Sequence, residues 1–126
     1  MEYEYSRCAM QCGIIMSETR LFPSERCKGY FGTKRFDRRL DKTGCKKIHM
    51  LTAAALLELD FEQPSLDYHS LMKLMKILTR DNKNDVENMF RRMCFNVFAH
   101  NRDDHSKNFT YLYNETEDVW RLSPAY

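Results

Sequence analysis

FNVFAHNRDDHSKNF, residues 95–109, leaves an apolar stretch, crosses a densely polar loop and enters FTYLY at 109–113. Upstream of it, Val86, Met89, Phe90, Met93, Cys94, Val97 and Phe98 recur at helical spacing and form a wide apolar stripe. That pattern predicts a central, largely buried helix, opened by a capping arrangement of Asn84 with Glu87. Downstream, FTYLY and VWRLS flank the turn-like NETED and read as a hairpin. A polar loop held between a buried helix and a hairpin is a rigid mount of the kind that often carries functional groups.

Further upstream, Tyr68, Leu71, Met72, Met75 and Leu78 predict a second helix at the same period. HMLTAAALLEL, residues 49–59, is rich in the strongest helix formers and predicts a third. MEYEYSRCAMQC predicts a short opening helix that Gly13 stops. ETRLFPS and KGYFGTKRF carry aromatic residues with glycines between, and predict a first hairpin. Residues 37–47 read as a charged linker closed by Gly44. The cluster of Arg35, Arg38, Arg39, Lys42, Lys46 and Lys47 is interrupted by Asp37 and Asp41, as suits a solvated connection better than a phosphate-binding patch.

With 126 residues the chain forms one domain or one lobe of a larger one. Its apolar content of 43% supports a real core. Although 30% of residues are charged, the signs nearly cancel to +2, which argues against a dedicated nucleic-acid surface. The five cysteines are odd in number and contain no C-x-x-C pair. No secretory leader and no apolar run of the ~20 residues needed to cross a bilayer occurs, so a reduced, cytoplasmic protein with no membrane contact is expected. Methionines on the helical stripes read as flexible core filling, and Trp120 and Tyr126 as anchors of the last hairpin.

Read from its residues alone, the loop leaves three chemistries open. His100, Asp103, Asp104 and His105 could serve a metal-dependent hydrolase. The loop could also be a solvated turn within a non-catalytic helical interaction module. Thirdly, Asp103 and Asn108 stand at the D-x-x-x-x-N interval of protein-kinase catalytic loops, in which the aspartate accepts the substrate hydroxyl's proton and the asparagine holds magnesium. Lys107, between them, could offset charge on a transferring phosphate, and His105 could contact it.

The loop and its surroundings resemble the catalytic region of HipA-like serine/threonine kinases, the bacterial toxin kinases. The family's D-x-H-x-K-N-F pattern is matched by Asp103, His105, Lys107, Asn108 and Phe109, and WRLSPAY at 120–126 and KRFDR at 34–38 are similar to further family segments. The resemblance implies a mainly α fold: a helical kinase-type C-lobe segment with two short β-hairpins. Residues 1–47 would be the end of the nucleotide lobe, hinge and linker, and 48–126 the helical lobe with the catalytic loop.

The same resemblance implies ATP and Mg2+ as cofactors, with Asp103 as catalytic base, Lys107 beside it and Asn108 as magnesium ligand. His105 would line the phosphate end. The backbone around Lys34, Arg35 and Phe36 would meet the adenine, His49 would sit near the nucleotide, and Glu2 or Glu4 would reach toward a nucleotide-binding lysine. The family's next magnesium-binding aspartate would follow Tyr126, and its phosphate loop and lysine would precede Met1. An excised kinase segment, inactive alone, is therefore expected. The implied partners are a protein substrate such as an aminoacyl-tRNA synthetase and a helix-turn-helix antitoxin of the HipB type, with DNA reached only through that antitoxin.

Overall fold

The computed structural model describes residues 1–58, 67–101 and 105–126. The chain opens as helix α1 (Glu2–Gln11) and leaves it where Gly13 takes φ +76°, its N–H returning to the Met10 carbonyl. Strands β1 (Thr19–Phe22) and β2 (Tyr30–Thr33) follow as the expected antiparallel hairpin, with Leu21 opposite Phe31. Gly29 turns the chain at φ +126°, where a Cβ would stand 2.7 Å from the Phe22 carbonyl oxygen.

Residues 37–47 are not a linker. They form strands β3 (Arg38–Asp41) and β4 (Gly44–Lys47), an antiparallel hairpin turned at Gly44, φ +128°. HMLTAAALLEL also departs from expectation. Met50–Thr52 is strand β5, and among the described residues of this stretch only Ala53–Leu56 is helical, as α2. Thr52 ends the strand and caps the helix, its hydroxyl accepting from the Ala55 N–H at 3.2 Å.

Helices α3 (Tyr68–Leu78) and α4 (Lys83–Phe98) match the apolar periodicity. A 3-10 turn, Ser106–Asn108, leads to β6 (Thr110–Asn114) and β7 (Val119–Leu122). The last hairpin forms as expected but gains a third strand, because β5 pairs antiparallel with β6, Leu51 opposite Tyr111. The fold is therefore mixed α and β, with seven strands in three antiparallel sheets among the described residues. The expectation of a mainly α segment with two hairpins is corrected by the β3–β4 hairpin and by β5.

The core lies between α3, α4 and the three-stranded sheet, where Ala53, Leu71, Met75, Met89, Phe109, Tyr111 and Leu122 cluster. On α4 burial is confined to Asn88, Met89 and Arg92, while Phe90, Val97 and Phe98 are exposed. The helix is thus peripheral on one side rather than largely buried. Its N-cap is Asn82, not Asn84 with Glu87: the Asn82 Oδ1 accepts from the N–H groups of Asn84 and Asp85 at 3.1 and 3.2 Å. Glu87 instead pairs with Arg91 one turn on, at 2.5 Å. Asn82→Ala should accordingly cost ~1 kcal/mol in a denaturant titration, whereas Asn84→Ala should cost a few tenths; equal costs would refute this cap. No helix among the described residues is long and apolar enough to cross a membrane.

Candidate functional site

The polar loop starts where it does because α4 ends in a tight backbone motif. Ala99 is the C-cap, His100 takes the left-handed conformation at φ +52°, and the Asn101 N–H reaches back to the Asn96 carbonyl at 2.9 Å. The His100 N–H closes on the Val97 carbonyl at 3.3 Å, completing a Schellman arrangement in which histidine stands where glycine is usual. The Asn101 carboxamide then donates to the Asn96 Oδ1 at 3.0 Å, and the Asn96 carboxamide to the Tyr68 hydroxyl at 3.0 Å. On the far side the loop ends in the 3-10 turn, and Phe109 and Thr110 are buried. Asp103 and Asp104 lie outside the described residues. Among the described residues no three His, Cys, Asp or Glu side chains gather as for a metal ion.

Asn101, Asn108 and Phe109 line a cleft of about 360 Å³. Glu2, Tyr5 and Ser6 of α1 form one wall, Arg92, Phe95 and Asn96 of α4 another, and Ala125 with Tyr126 the end. Edge-to-face packing of Tyr5 on Phe95, centroids 5.3 Å apart, and a hydrogen bond from the Tyr5 hydroxyl to the Ala99 carbonyl hold α1 against α4. Tyr126 hydrogen-bonds Thr110 at 2.9 Å through its hydroxyl, which also donates to the Lys107 carbonyl at 3.4 Å. Its ring meets Phe36 at 5.0 Å. The chain's last aromatic residue is therefore joined both to the end of the polar loop and to the segment after β2. Its ring is half exposed, so Tyr126 is a cleft residue rather than the core anchor expected; Trp120 packs against the core.

Arg92 is the electrostatic centre of this region. It is 5% exposed, donates to the Ser123 carbonyl through Nη2, and its Nε has no hydrogen-bond partner among the described residues. Burial pulls its pKa down to about 10, against the favourable fields of Tyr111, Asp85 and Tyr126. The guanidinium therefore stays charged at neutral pH. Asp85, 3.8 Å from Arg121 rather than hydrogen-bonded to Arg92, has its carboxyl pushed up by burial. Arg92 sets a positive charge on the wall of a cleft lined by three carboxamides, which suits an anionic ligand. The cleft volume is in the range of small-molecule sites.

Of the residues expected at a nucleotide, Asn108 lines the cleft, and Phe36 stands outside its lining but packs on Tyr126, which does line it. Lys34 pairs with Glu18 at 3.1 Å, and Arg35 grips Asp37 through two bonds of 2.8 and 2.6 Å. His49 lies 5.4 Å from the Trp120 ring, beside the three-stranded sheet. His105 stands at the start of the 3-10 turn that contains Lys107, with no capping bond from its side chain. Sequence reading missed Arg92, Asn96 and Tyr5. A signal existed for Arg92, which follows Met89 by three residues and so falls on the buried side of α4.

The family of HipA-like C-terminal domains matches the chain over residues 1–126. No curated protein matches it. Among solved structures, it is similar to a chain of the Shewanella oneidensis MR-1 toxin–antitoxin complex of HipA, HipB and its operator DNA. That likeness has a TM-score of 0.81 at 18% identity and covers 97% of this chain. The chain spans about a third of the matched one, 32%.

Proposed function

Since the chain belongs to the family of HipA-like C-terminal domains, we propose that it carries the catalytic loop of an ATP- and magnesium-dependent serine/threonine protein kinase of the HipA toxin type. The observation that carries this reading is the position of Asn108 and Phe109. They end the D-x-H-x-K-N-F run and line a cleft whose wall also carries the Arg92 cation. In this reading Asp103 accepts the proton of the substrate hydroxyl, and Asn108 offers its carboxamide oxygen to magnesium, a cation that prefers oxygen ligands. Lys107 offsets negative charge at the phosphate end, braced by His105. The Lys34–Phe36 backbone meets the adenine, with Phe36 as apolar wall, while His49, held beside Trp120 and the three-stranded sheet, has no part in it. Bound ATP and magnesium supply the phosphoryl group and much of the charge neutralisation; the chain's share is positioning and proton acceptance.

The activity is that of a longer, cytoplasmic protein, in keeping with a solved relative about three times the length of the matched segment. Residues 1–47 complete its nucleotide lobe and 48–126 form the lobe with the catalytic loop. That relative was captured with HipB and operator DNA, which supports a HipB-type helix-turn-helix antitoxin as partner. The substrate is a protein, an aminoacyl-tRNA synthetase being the family's best-known class. Magnesium-dependent transfer of label from ATP to the protein itself or to a second protein, by the full-length protein, is the expected result. Absence of any transfer with antitoxin removed would overturn the reading.

A further inference from the structure

The β3–β4 hairpin is an exposed arm, tied to the β6–β7 turn by the Lys46–Glu115 ion pair. Every residue from Arg39 to Lys47 is exposed. Its register sets Arg38 opposite Lys47 and Arg39 opposite Lys46. Like charges directly opposite one another destabilise an antiparallel pair, and a two-stranded ribbon is marginal in water even without them. Between Lys34 and Lys47 stand seven cations and two carboxylates, in a chain whose whole excess is only +2, so the remainder is slightly acidic. Part of this charge is answered locally. Arg35 grips Asp37, Arg38 lies 3.8 Å from the same carboxylate, and Lys46 meets Glu115 at 2.9 Å. Arg39, Lys42 and Lys47 have no carboxylate partner among the described residues.

We propose that this hairpin is a DNA-contacting arm that lies in the major groove of B-form duplex and reaches phosphates on both walls. Strand alternation puts Arg38 and Lys47 on one face of the ribbon and Arg39 and Lys46 on the other. A protein surface docking on the arm would meet one face, whereas a groove meets both. The hairpin contains no aromatic residue on which unpaired bases could stack, which disfavours a single strand. The B-form major groove admits a two-stranded ribbon, while that of A-form RNA is too narrow for side chains to read. The contact is to phosphate and is therefore independent of sequence. It adds a contact of the chain's own to any made through an antitoxin, and it does not depend on phosphoryl transfer.

The test is fluorescence anisotropy with the full-length protein and a labelled DNA duplex of arbitrary sequence, titrated across salt concentrations. Arg39→Gln/Lys42→Gln/Lys47→Gln removes three exposed charges and, by relieving the like-charge pairs, should not lower the melting temperature. Each phosphate contact contributes ~0.9 to the slope of log affinity against log salt, so the triple variant's slope should be shallower by ~2.7. Arg39→Gln alone should be shallower by ~0.9, which guards against a folding defect in the triple variant. No duplex binding, or identical slopes for parent and variants, would overturn the proposal. So would tighter binding to polyglutamate, which would assign the arm to an acidic protein, or equal binding to an RNA duplex.

Discussion

Asp103→Asn in the full-length protein should leave the fold intact and lower phosphoryl transfer from ATP by ~10²–10⁴-fold, the usual contribution of a positioned general base. The amide keeps the side chain's volume and removes only its capacity to take the substrate proton. Residues on either side of Asp103 are tied down by other means: Asn101 through Asn96, and the 3-10 turn through the buried Phe109. The substitution should therefore act on kcat far more than on the KM for ATP, because proton acceptance matters in the transition state and little in the ground state. Asn108→Ala is the matched control. Loss of a magnesium ligand should be partly relieved by raising the magnesium concentration, while Asp103→Asn should not respond. Equal rates for parent and Asp103→Asn in a single-turnover assay would remove Asp103 from its role.

What the sequence made legible follows from where burial imposes a period. α3 and the buried side of α4 show it, because Leu71, Met75 and Met89 must face one core. The hairpins at 19–33 and 110–122 are rich in aromatic and β-branched residues suited to half-buried strands. The β3–β4 hairpin has no such signal. Both its faces meet water, so nothing imposes alternation, and its arginines, lysines and aspartates are poor strand formers. β5 was hidden for a different reason. Its pairing with β6 joins residues some sixty positions apart, and alanine-rich neighbours mask it with helix propensity. The D-x-x-x-x-N pattern could be read because Asp103 to Asn108 is a local spacing. The cleft could not, since Tyr5, Arg92 and Asn108 meet only through tertiary packing.

That packing rests on few residues, which makes Met89→Ala the second large effect. Met89 is fully buried on α4, and it belongs to the same cluster as Leu71 and Met75 of α3 and Phe109 and Tyr111 beside the loop. Truncating such a side chain loses its transfer free energy and leaves a cavity, at a cost of ~2–5 kcal/mol. Domains of this size are stable by ~5–15 kcal/mol, so the loss is a large share of the total. Phe90, the next residue on α4, is 52% exposed; removing its ring exposes no core and should cost less than ~1 kcal/mol. The pair separates core position from helix propensity, since both variants place alanine in the same turn. In denaturant titrations of the full-length protein, Met89→Ala should shift the midpoint several times further than Phe90→Ala, at unchanged slope. Because Met89 precedes Arg92 by one turn and packs in the cluster that includes Phe109, its loss should also loosen the cleft that Arg92 and Phe109 line and weaken the nucleotide binding proposed for it before the domain unfolds. Equal midpoints for the two variants would mean that α4 does not seat on this core as described.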